Sequence, residues 1–108
     1  MTAKKIEERP GCIQHTLEVM GDKWTGLIVR DLSSRPATFT ELELSLVGIS
    51  PRTLSQRLDK LEKEDIVSKQ LYCERPPRYN YVLTSKGKEL QDILSKMAAW
   101  GARHFEEA

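Results

Sequence analysis

The sequence predicts a mainly α-helical domain with one small antiparallel β-hairpin, placed between a fourth and a fifth helix. Apolar residues recur at helical spacing in segments before residue 64 and again after residue 84. Residues 65–72 and 78–83 have the apolar or alternating pattern of short strands, and Pro76 and Pro77 lie between them. A composition of 39% hydrophobic and 31% charged residues is typical of a helix-rich globular protein.

The length and composition limit the domain organisation. A chain of 108 residues suits one domain with a modest core and is too short for two. We expect a flexible, polar N-terminal arm over residues 1–11 and a single domain over 12–105. No apolar run approaches the roughly 20 residues of a membrane span, and no signal-peptide pattern opens the chain, so a cytoplasmic location is expected. With only Cys12 and Cys73 present, a disulfide scaffold is not expected.

The first two predicted helices are separated by a glycine. Ile13, Leu17 and Met20 recur at i, i+4 and i+7, which predicts a helix over 13–20 that ends at Gly21. Asp22 is a candidate N-cap for a second helix over 23–33. The residues of this second helix that share an apolar face are Trp24, Leu27, Ile28 and Leu32.

The third and fourth helices form a helix-turn-helix pattern. Thr38 or Thr40 begins the short third helix, and the break at 47–49 contains a glycine. The fourth helix spans 50–64, with Ser50 as its N-cap and Pro51 at the first helical position, where the missing N–H leaves no bond unmade. Its inward face carries Leu54, Leu58 and Leu61, and its outward face carries Arg52, Gln56, Asp59 and Lys63. The second helix of such a pair reads DNA in many proteins, although αα-hairpins without DNA share the pattern.

The hairpin supplies the rest of a DNA-binding architecture. Two prolines exclude a helix between the strands and cannot donate to the ladder, so residues 73–77 are expected to form a stiff protruding tip. A helix-turn-helix followed by a hairpin with Arg75 and Arg78 near its tip is a winged helix-turn-helix. Such a wing can lie along the sugar-phosphate backbone or in the minor groove.

The net charge of +1 conceals a basic central segment. Residues 50–88 contain nine basic and five acidic residues, which gives +4. Residues 1–49 carry −1 and residues 89–108 carry −2. Phosphate binding needs a basic patch of this kind, although an ordinary solvated surface would give the same count.

The last helix is predicted to begin after Thr84 and to reach about Phe105. Its apolar stripe consists of Leu90, Ile93, Leu94, Met97, Trp100 and Phe105. Because this stripe is long for the end of a small monomer, a partner helix in a two-fold dimer is the expected cover. The alternative is that the helix packs back on the first two helices.

Several motifs together resemble the HxlR-type branch of the MarR-like winged-helix transcriptional regulators. The resemblance covers residues 12–100. The matching residues are Cys12, Gly21-Asp22-Lys23-Trp24, Phe39-Thr40-Glu41-Leu42, the run from Gly48 to Leu58, the run from Pro76 to Tyr81, Leu83-Thr84 and Gly87.

The resemblance implies a homodimer that binds pseudo-palindromic DNA through the fourth helix of each subunit. By this resemblance, the residues that contact bases in the major groove are Pro51, Arg52, Ser55 and Gln56. The candidates for contacts with the DNA backbone are Arg57, Lys60, Lys63, Arg75 and Arg78. For Arg57 an intramolecular acidic partner is an open alternative to a phosphate. The expected dimer interface consists of Ile13, Leu17, Leu90, Leu94, Met97 and Trp100.

Cys12 is a candidate redox sensor. It precedes the first predicted helix, whose N-terminal dipole favours a thiolate. Several members of the resembled branch use a cysteine at this place to sense electrophiles, quinones or oxidants, so an oxidant or small-molecule effector is expected; the alternative is a small buried cysteine. Cys73 has no counterpart in the resembled pattern and is interpreted as a surface residue.

Other chemistry is not expected. Cys12 and His15 have a metal-like spacing but lack paired ligands elsewhere, and no nucleophile triad or glycine-rich phosphate loop is present, so no metal, cofactor or catalysis is predicted. Trp24 or Trp100 is a candidate wall for a small ligand pocket at the dimer seam. Two classes of function remain: a DNA-binding regulator, and a winged helix used only to bind another protein. The basic segment and the wing arginines favour the first.

Overall fold

Residues 11–105 fold as five helices and one β-hairpin in the predicted order. The structure is a computed structural model in which residues 11–105 are described, so residues 1–10 of the expected N-terminal arm lie outside the described residues. The elements are α1 (Cys12–Met20), α2 (Thr25–Ser34), α3 (Phe39–Ser45), α4 (Pro51–Lys63), β1 (Val67–Glu74), β2 (Pro77–Leu83) and α5 (Ser85–His104). The mainly helical fold with an antiparallel hairpin is therefore confirmed.

The corner between α1 and α2 differs from the prediction by a short turn. The carboxylate of Asp22 accepts hydrogen bonds from the backbone N–H of Trp24 at 2.8 Å and of Thr25 at 2.9 Å. These bonds satisfy donors at the start of the helix, but they hold Lys23 and Trp24 in a turn. Helix α2 consequently begins at Thr25 and not at Lys23.

The helix-turn-helix is fixed by local caps. Thr38, one of the two predicted candidates, begins α3 through a capping box. Its Oγ1 accepts from the N–H of Glu41 at 3.1 Å, and the carboxylate of Glu41 accepts from the N–H of Thr38 at 2.9 Å. In the turn, Gly48 has φ 92°, a left-handed conformation that glycine adopts without strain. Ile49, which follows it, is buried in the core.

Helix α4 matches its predicted bounds closely. Ser50 caps it by accepting from the N–H of Thr53 at 3.1 Å, and Pro51 is its first residue. The inward leucines, Leu54, Leu58 and Leu61, are all fully buried. Local capping and a leucine repeat thus suffice to place this helix.

The hairpin extends closer to its tip than expected. Glu74 pairs with Pro77, so β1 and β2 are joined by Arg75 and Pro76 alone. A proline is tolerated as the first residue of a strand, where no ladder hydrogen bond is required from it. The register shifts by one residue between Leu71 and Cys73, which bends the outer part of the wing.

A backbone bridge holds the base of the wing against the helices. Tyr81 donates its N–H to the carbonyl of Ala37 at 2.7 Å, and Ala37 donates to the carbonyl of Tyr81 at 3.1 Å. Both residues are buried. The wing is therefore fixed to the segment between α2 and α3, and its outer part projects from the domain.

Helix α5 is capped by Thr84, whose Oγ1 accepts from the N–H of Gly87 at 3.0 Å. The first half of α5 contributes Leu90 to a core that all five helices and both strands surround. The fully buried side chains at its centre are Ile28, Leu42, Leu54, Leu58, Leu61, Val29, Val67 and Thr25. Within residues 11–105, no helix is long and apolar enough to cross a membrane.

Candidate nucleic-acid interface

The first two turns of α4 form an exposed polar surface. Pro51, Arg52, Ser55 and Gln56 are all exposed, and the leucines on the opposite face of the helix are buried. The structure therefore brings the four predicted base-reading residues together on one surface. Because the positive end of the helix dipole lies at Pro51, this surface also favours the approach of an anion such as a phosphate.

The predicted contacts with the DNA backbone fall into two groups. Lys63, Arg75 and Arg78 are exposed, and none of them forms an ion pair with another residue of the described part of the chain. Arg57 instead places its Nε 3.1 Å from Oδ1 of Asp22. Lys60 donates from Nζ to the carbonyl of Glu18, at the end of α1, at 2.6 Å. Arg57 and Lys60 thus contact the α1–α2 corner.

Asp22 is the anionic centre of this corner. Burial alone would raise the pKa of its carboxyl group, but hydrogen bonds from the side chain and backbone of Thr25 and from the backbone of Trp24 favour the carboxylate, as does Arg57. The net effect is a pKa below the usual value. The cap at Asp22 is predictable from the sequence, and an acidic partner is one predicted alternative for Arg57, but nothing in their spacing along the chain connects the two residues.

Lys69 on the wing was not among the predicted site residues. Its ammonium lies 6.0 Å from the ring centre of Tyr79 and 5.9 Å from that of Tyr81. In the hairpin register Lys69 pairs with Tyr81, and Leu71 pairs with Tyr79. The alternation of the two strands was visible in the sequence, but the register that places Lys69 beside the tyrosines was not.

Apolar side chains of α1 and α5 remain exposed on the surface of the chain. Ile13 and Leu17 are at least half exposed, as is Trp100, and Met97 is nearly so. Trp100 packs against Phe105 at 5.6 Å between ring centres. The large exposed apolar residues of the two helices, together with the residue that follows α5, are Ile13, Leu17, Ile93, Met97, Trp100 and Phe105.

Two residues of the predicted dimer interface, Leu90 and Leu94, are less exposed than the other four. Leu90 is only 8% exposed and belongs to the core of the chain itself. Leu94 is partly buried, packs against that core, and approaches Gly26 of α2. Leu90 and Leu94 of α5 therefore pack back on the domain, whereas Ile93, Met97 and Trp100 present an open apolar surface.

The two cysteines lie in different elements. Cys12 is the first residue of α1 and is partly buried, while Cys73 lies in β1 near the wing tip. Cys73 directs its Sγ to the carbonyl of Arg75 at 3.7 Å. No disulfide joins the two cysteines in the described residues.

A cavity between α1 and α5 is a candidate for a small ligand. Its lining residues include Val19, Ile66, Leu90 and Ile93, with His15 at its edge. Neither tryptophan lines this cavity. Trp24 is instead covered by the ammonium of Lys23 at 4.8 Å, and Trp100 packs within the exposed apolar surface of α5.

Comparisons with known proteins agree with this geometry. Residues 19–108 match the family model described as HxlR-like helix-turn-helix. The chain is 34% identical to the HTH-type transcriptional regulator YodB of Bacillus subtilis over 94 residues, which are 87% of this chain and 84% of YodB. It is 37% identical to the uncharacterized HTH-type transcriptional regulator YvaP of the same organism over 93 residues, 86% of each chain.

Solved structures show the same fold. The reduced form of YodB superposes with a TM-score of 0.81 at 33% identity, covering 93% of this chain and 97% of that one. The redox regulator HypR in its reduced form gives a TM-score of 0.78 at 32% identity, covering 84% of this chain and 90% of that one. YodB has also been solved after treatment with diamide, and HypR in an oxidized form.

Proposed function

The chain belongs to the HxlR-like helix-turn-helix family of DNA-binding transcriptional regulators, which are not enzymes, and from this we propose that it binds a pseudo-palindromic operator as a homodimer. Helix α4 of each subunit enters the major groove. The observation that carries the proposal is the exposed surface of the first two turns of α4, which lies opposite a fully buried row of leucines.

The bases are read by the side chains of that surface. The guanidinium of Arg52 suits the O6 and N7 acceptors of guanine, and the amide of Gln56 suits N6 and N7 of adenine. Ser55 and Pro51 complete the contact area. The second half of α4 carries Asp59, whose carboxylate repels phosphate, so only the first two turns lie in the groove.

The backbone contacts come from the exposed basic residues. Lys63 lies at the end of α4, and Arg75 and Arg78 lie at the wing tip. The wing lies on the backbone or in the minor groove, where these arginines meet phosphates. A salt-dependent affinity is the expected signature, because each phosphate contact releases counterions.

The dimer forms through the exposed apolar residues of α1 and α5. Ile13 and Leu17 supply one edge of the interface, and Met97 and Trp100 supply the other. Leu90 belongs to the core of the subunit and Leu94 packs against that core, so neither is an exposed part of this surface. A two-fold dimer presents α4 twice, which matches the two half-sites of a palindromic operator.

Oxidants or electrophiles release the protein from DNA through Cys12. Two observations support this part of the proposal: Cys12 starts the helix that carries Ile13 and Leu17, and the similar structures include regulators solved in reduced and oxidant-treated forms. Oxidation or alkylation of the Cys12 sulfur alters the interface beside it. We expect Cys12→Ser to abolish the release of DNA by diamide, and Cys73→Ser, the matched control, to behave like wild type. If Cys12→Ser still releases DNA in diamide, this role for Cys12 is excluded.

The proposed function requires access to DNA, and we propose that the protein acts in the cytoplasm. The test is selection of bound duplexes from a random pool, with and without diamide, followed by a salt titration of the selected duplex. We expect two related half-sites and an affinity that falls steeply as salt rises. Absence of binding to any duplex at low salt would overturn the proposal and favour a winged helix that binds only proteins.

A further inference from the structure

We infer that Asp22 and Arg57 are positioning residues that set the orientation of α4 on the operator, so that Arg57 acts on DNA recognition through Asp22 and not through a phosphate. The inference rests on the proposed function, because it concerns how the base-reading surface of α4 is held. It assigns a role to two residues that are distant along the chain: Asp22 lies at the α1–α2 corner, and Arg57 lies on α4.

Asp22 is a rigid anchor for such a contact. Its carboxylate accepts from the backbone N–H of Trp24 and of Thr25, and it also accepts from the hydroxyl of Thr25. Thr25 is completely buried. The carboxylate is therefore fixed by three hydrogen bonds to the start of α2 before Arg57 approaches it.

Arg57 lies against this anchor on the flank of α4. Its side chain is 30% exposed and that of Asp22 is 22% exposed, so the ion pair at 3.1 Å is partly shielded from water. Arg57 and Asp22 are close enough to form an ion pair, but Nε of Arg57 does not form a hydrogen bond with the carboxylate. An arginine that turns inward to a carboxylate in this way is removed from the groove-facing surface.

Lys60 forms a second contact on the same flank of α4. It lies one helical turn after Arg57 and donates to the carbonyl of Glu18 at 2.6 Å. Carbonyls near the end of a helix carry a partial negative charge, which favours an ammonium there. Helix α4 thus holds the end of α1 through Lys60 and the turn before α2 through Arg57.

The corner between these two contacts is tightly packed. A Cβ at Gly21 would lie 2.3 Å from the carbonyl oxygen of Leu17, so no larger residue fits without a shift of the backbone. Glycine therefore allows α1 to end directly before the turn that Arg57 contacts. A helix held at Arg57 and Lys60 has a defined rotation about its axis.

This rotation determines which side chains face the bases. Successive residues of a helix are separated by about 100° around its axis, so fixing Arg57 also fixes the direction of Gln56 and Ser55. Loss of the ion pair frees α4 to rotate and shift within the limits of its leucine packing. We expect this movement to weaken contacts with base edges, because they require close alignment. Contacts with phosphates should be weakened less.

The experiment compares Arg57→Ala, Asp22→Asn and the double variant with wild type, in binding to the selected operator and to a random duplex over a range of salt. We expect each single variant to lower the ratio of specific to non-specific affinity by roughly five- to tenfold. The slope of log affinity against log salt should stay at the wild-type value. The double variant should lose no more specificity than the more affected single variant, because the contact between Arg57 and Asp22 is already absent in each of them.

Arg78→Ala is the matched control. It removes an arginine that we place on the wing at a phosphate, so it should reduce the salt slope by about one and weaken all duplexes alike. If Arg57→Ala does the same and Asp22→Asn binds like wild type, Arg57 is a phosphate contact and the inference is overturned. Folded variants that keep the wild-type specificity ratio would equally overturn it, since the pair would then serve stability alone.

Folding and the proposed function are tested separately. Circular dichroism and thermal melting establish that each variant is folded at the temperature of the binding assay. If Asp22→Asn does not fold, Arg57→Gln decides by the same slope and ratio, because it removes the charge and keeps most of the side chain. Failure of wild type to bind any duplex would contradict the proposed function, whereas unchanged specificity in the variants contradicts only the inference.

Discussion

Asp22 links stability to pH through a single carboxyl group. Its folded-state pKa is lowered below the usual value, against the effect of burial, by hydrogen bonds from Thr25 and Trp24 and by Arg57. A lowered pKa means that the stabilisation is present above the unfolded-state pKa of about 4 and is lost as the pH falls through the folded-state pKa. Asp22 therefore contributes to the acid sensitivity of the fold.

Asp22→Asn is expected to lower the free energy of unfolding by roughly 1–2 kcal/mol at pH 7, since it removes a charged acceptor of three hydrogen bonds. The loss should shrink below about pH 4, because protonation of this carboxyl group in the unfolded chain then lowers the stability of wild type. Urea denaturation at pH 7 and at pH 3.5 measures both values. Asp92→Asn, a change of an exposed carboxylate on α5, is the control and should show neither effect. An equal loss at both pH values would contradict the assignment.

Substitutions on α4 should distinguish the residues that read bases from those that bind phosphates. Gln56→Ala is expected to relax the preference at one position of each half-site, at a cost of roughly 1–3 kcal/mol for the preferred base, because a bidentate contact with adenine is lost. Lys63→Ala should weaken binding to all sequences alike and reduce the salt slope by about one. Competition among duplexes that differ at single positions measures the first effect. A uniform loss with Gln56→Ala would exclude base reading by this residue.

At the scale of the elements, features set by neighbouring residues can be predicted from the sequence, whereas contacts between different elements cannot. Helix α4 was predicted within one residue at each end, because Ser50, Pro51 and the leucine repeat are all local. The start of α2 was misplaced by two residues, because the turn held by Asp22 satisfies the N–H groups that a helix begun at Lys23 would leave open. The pairings of Arg57 with Asp22 and of Tyr81 with Ala37 join residues from different elements, so spacing along the chain does not predict them.

Helix α3 offers a direct test of local capping. Thr38→Ala removes the side-chain acceptor of the capping box and is expected to cost about 1 kcal/mol of folding stability, within a range of roughly 0.5–2 kcal/mol. Thr40, the other candidate for the start of this helix, lies inside it and is exposed. Thr40→Ala should therefore change stability by less than about 0.5 kcal/mol. Chemical denaturation of both variants measures the difference, and equal losses would contradict the cap.

At the scale of the whole molecule, the apolar stripe of α5 divides into residues that pack on the chain itself and residues that remain exposed. The sequence assigned Leu90, Leu94, Met97 and Trp100 alike to a partner, and it left packing within the chain as the alternative. The structure divides the stripe, because the N-terminal half of α5 lies against α2 and the core while its C-terminal half extends beyond them. Helical periodicity shows which face of α5 is apolar, but the point at which the domain ends depends on the packing of other elements.

That division gives a test of the proposed dimer. Met97→Glu combined with Trp100→Glu places two charges on the exposed half of the stripe and should yield a folded monomer, because these side chains take no part in the core. Operator affinity should fall by about a hundredfold or more, since two linked half-site contacts become independent. Sedimentation velocity and a binding titration measure the two effects. Leu44→Glu, at an exposed apolar residue of α3, is the control and should leave the oligomeric state unchanged. Persistence of the wild-type mass in the double variant would exclude this surface as the interface.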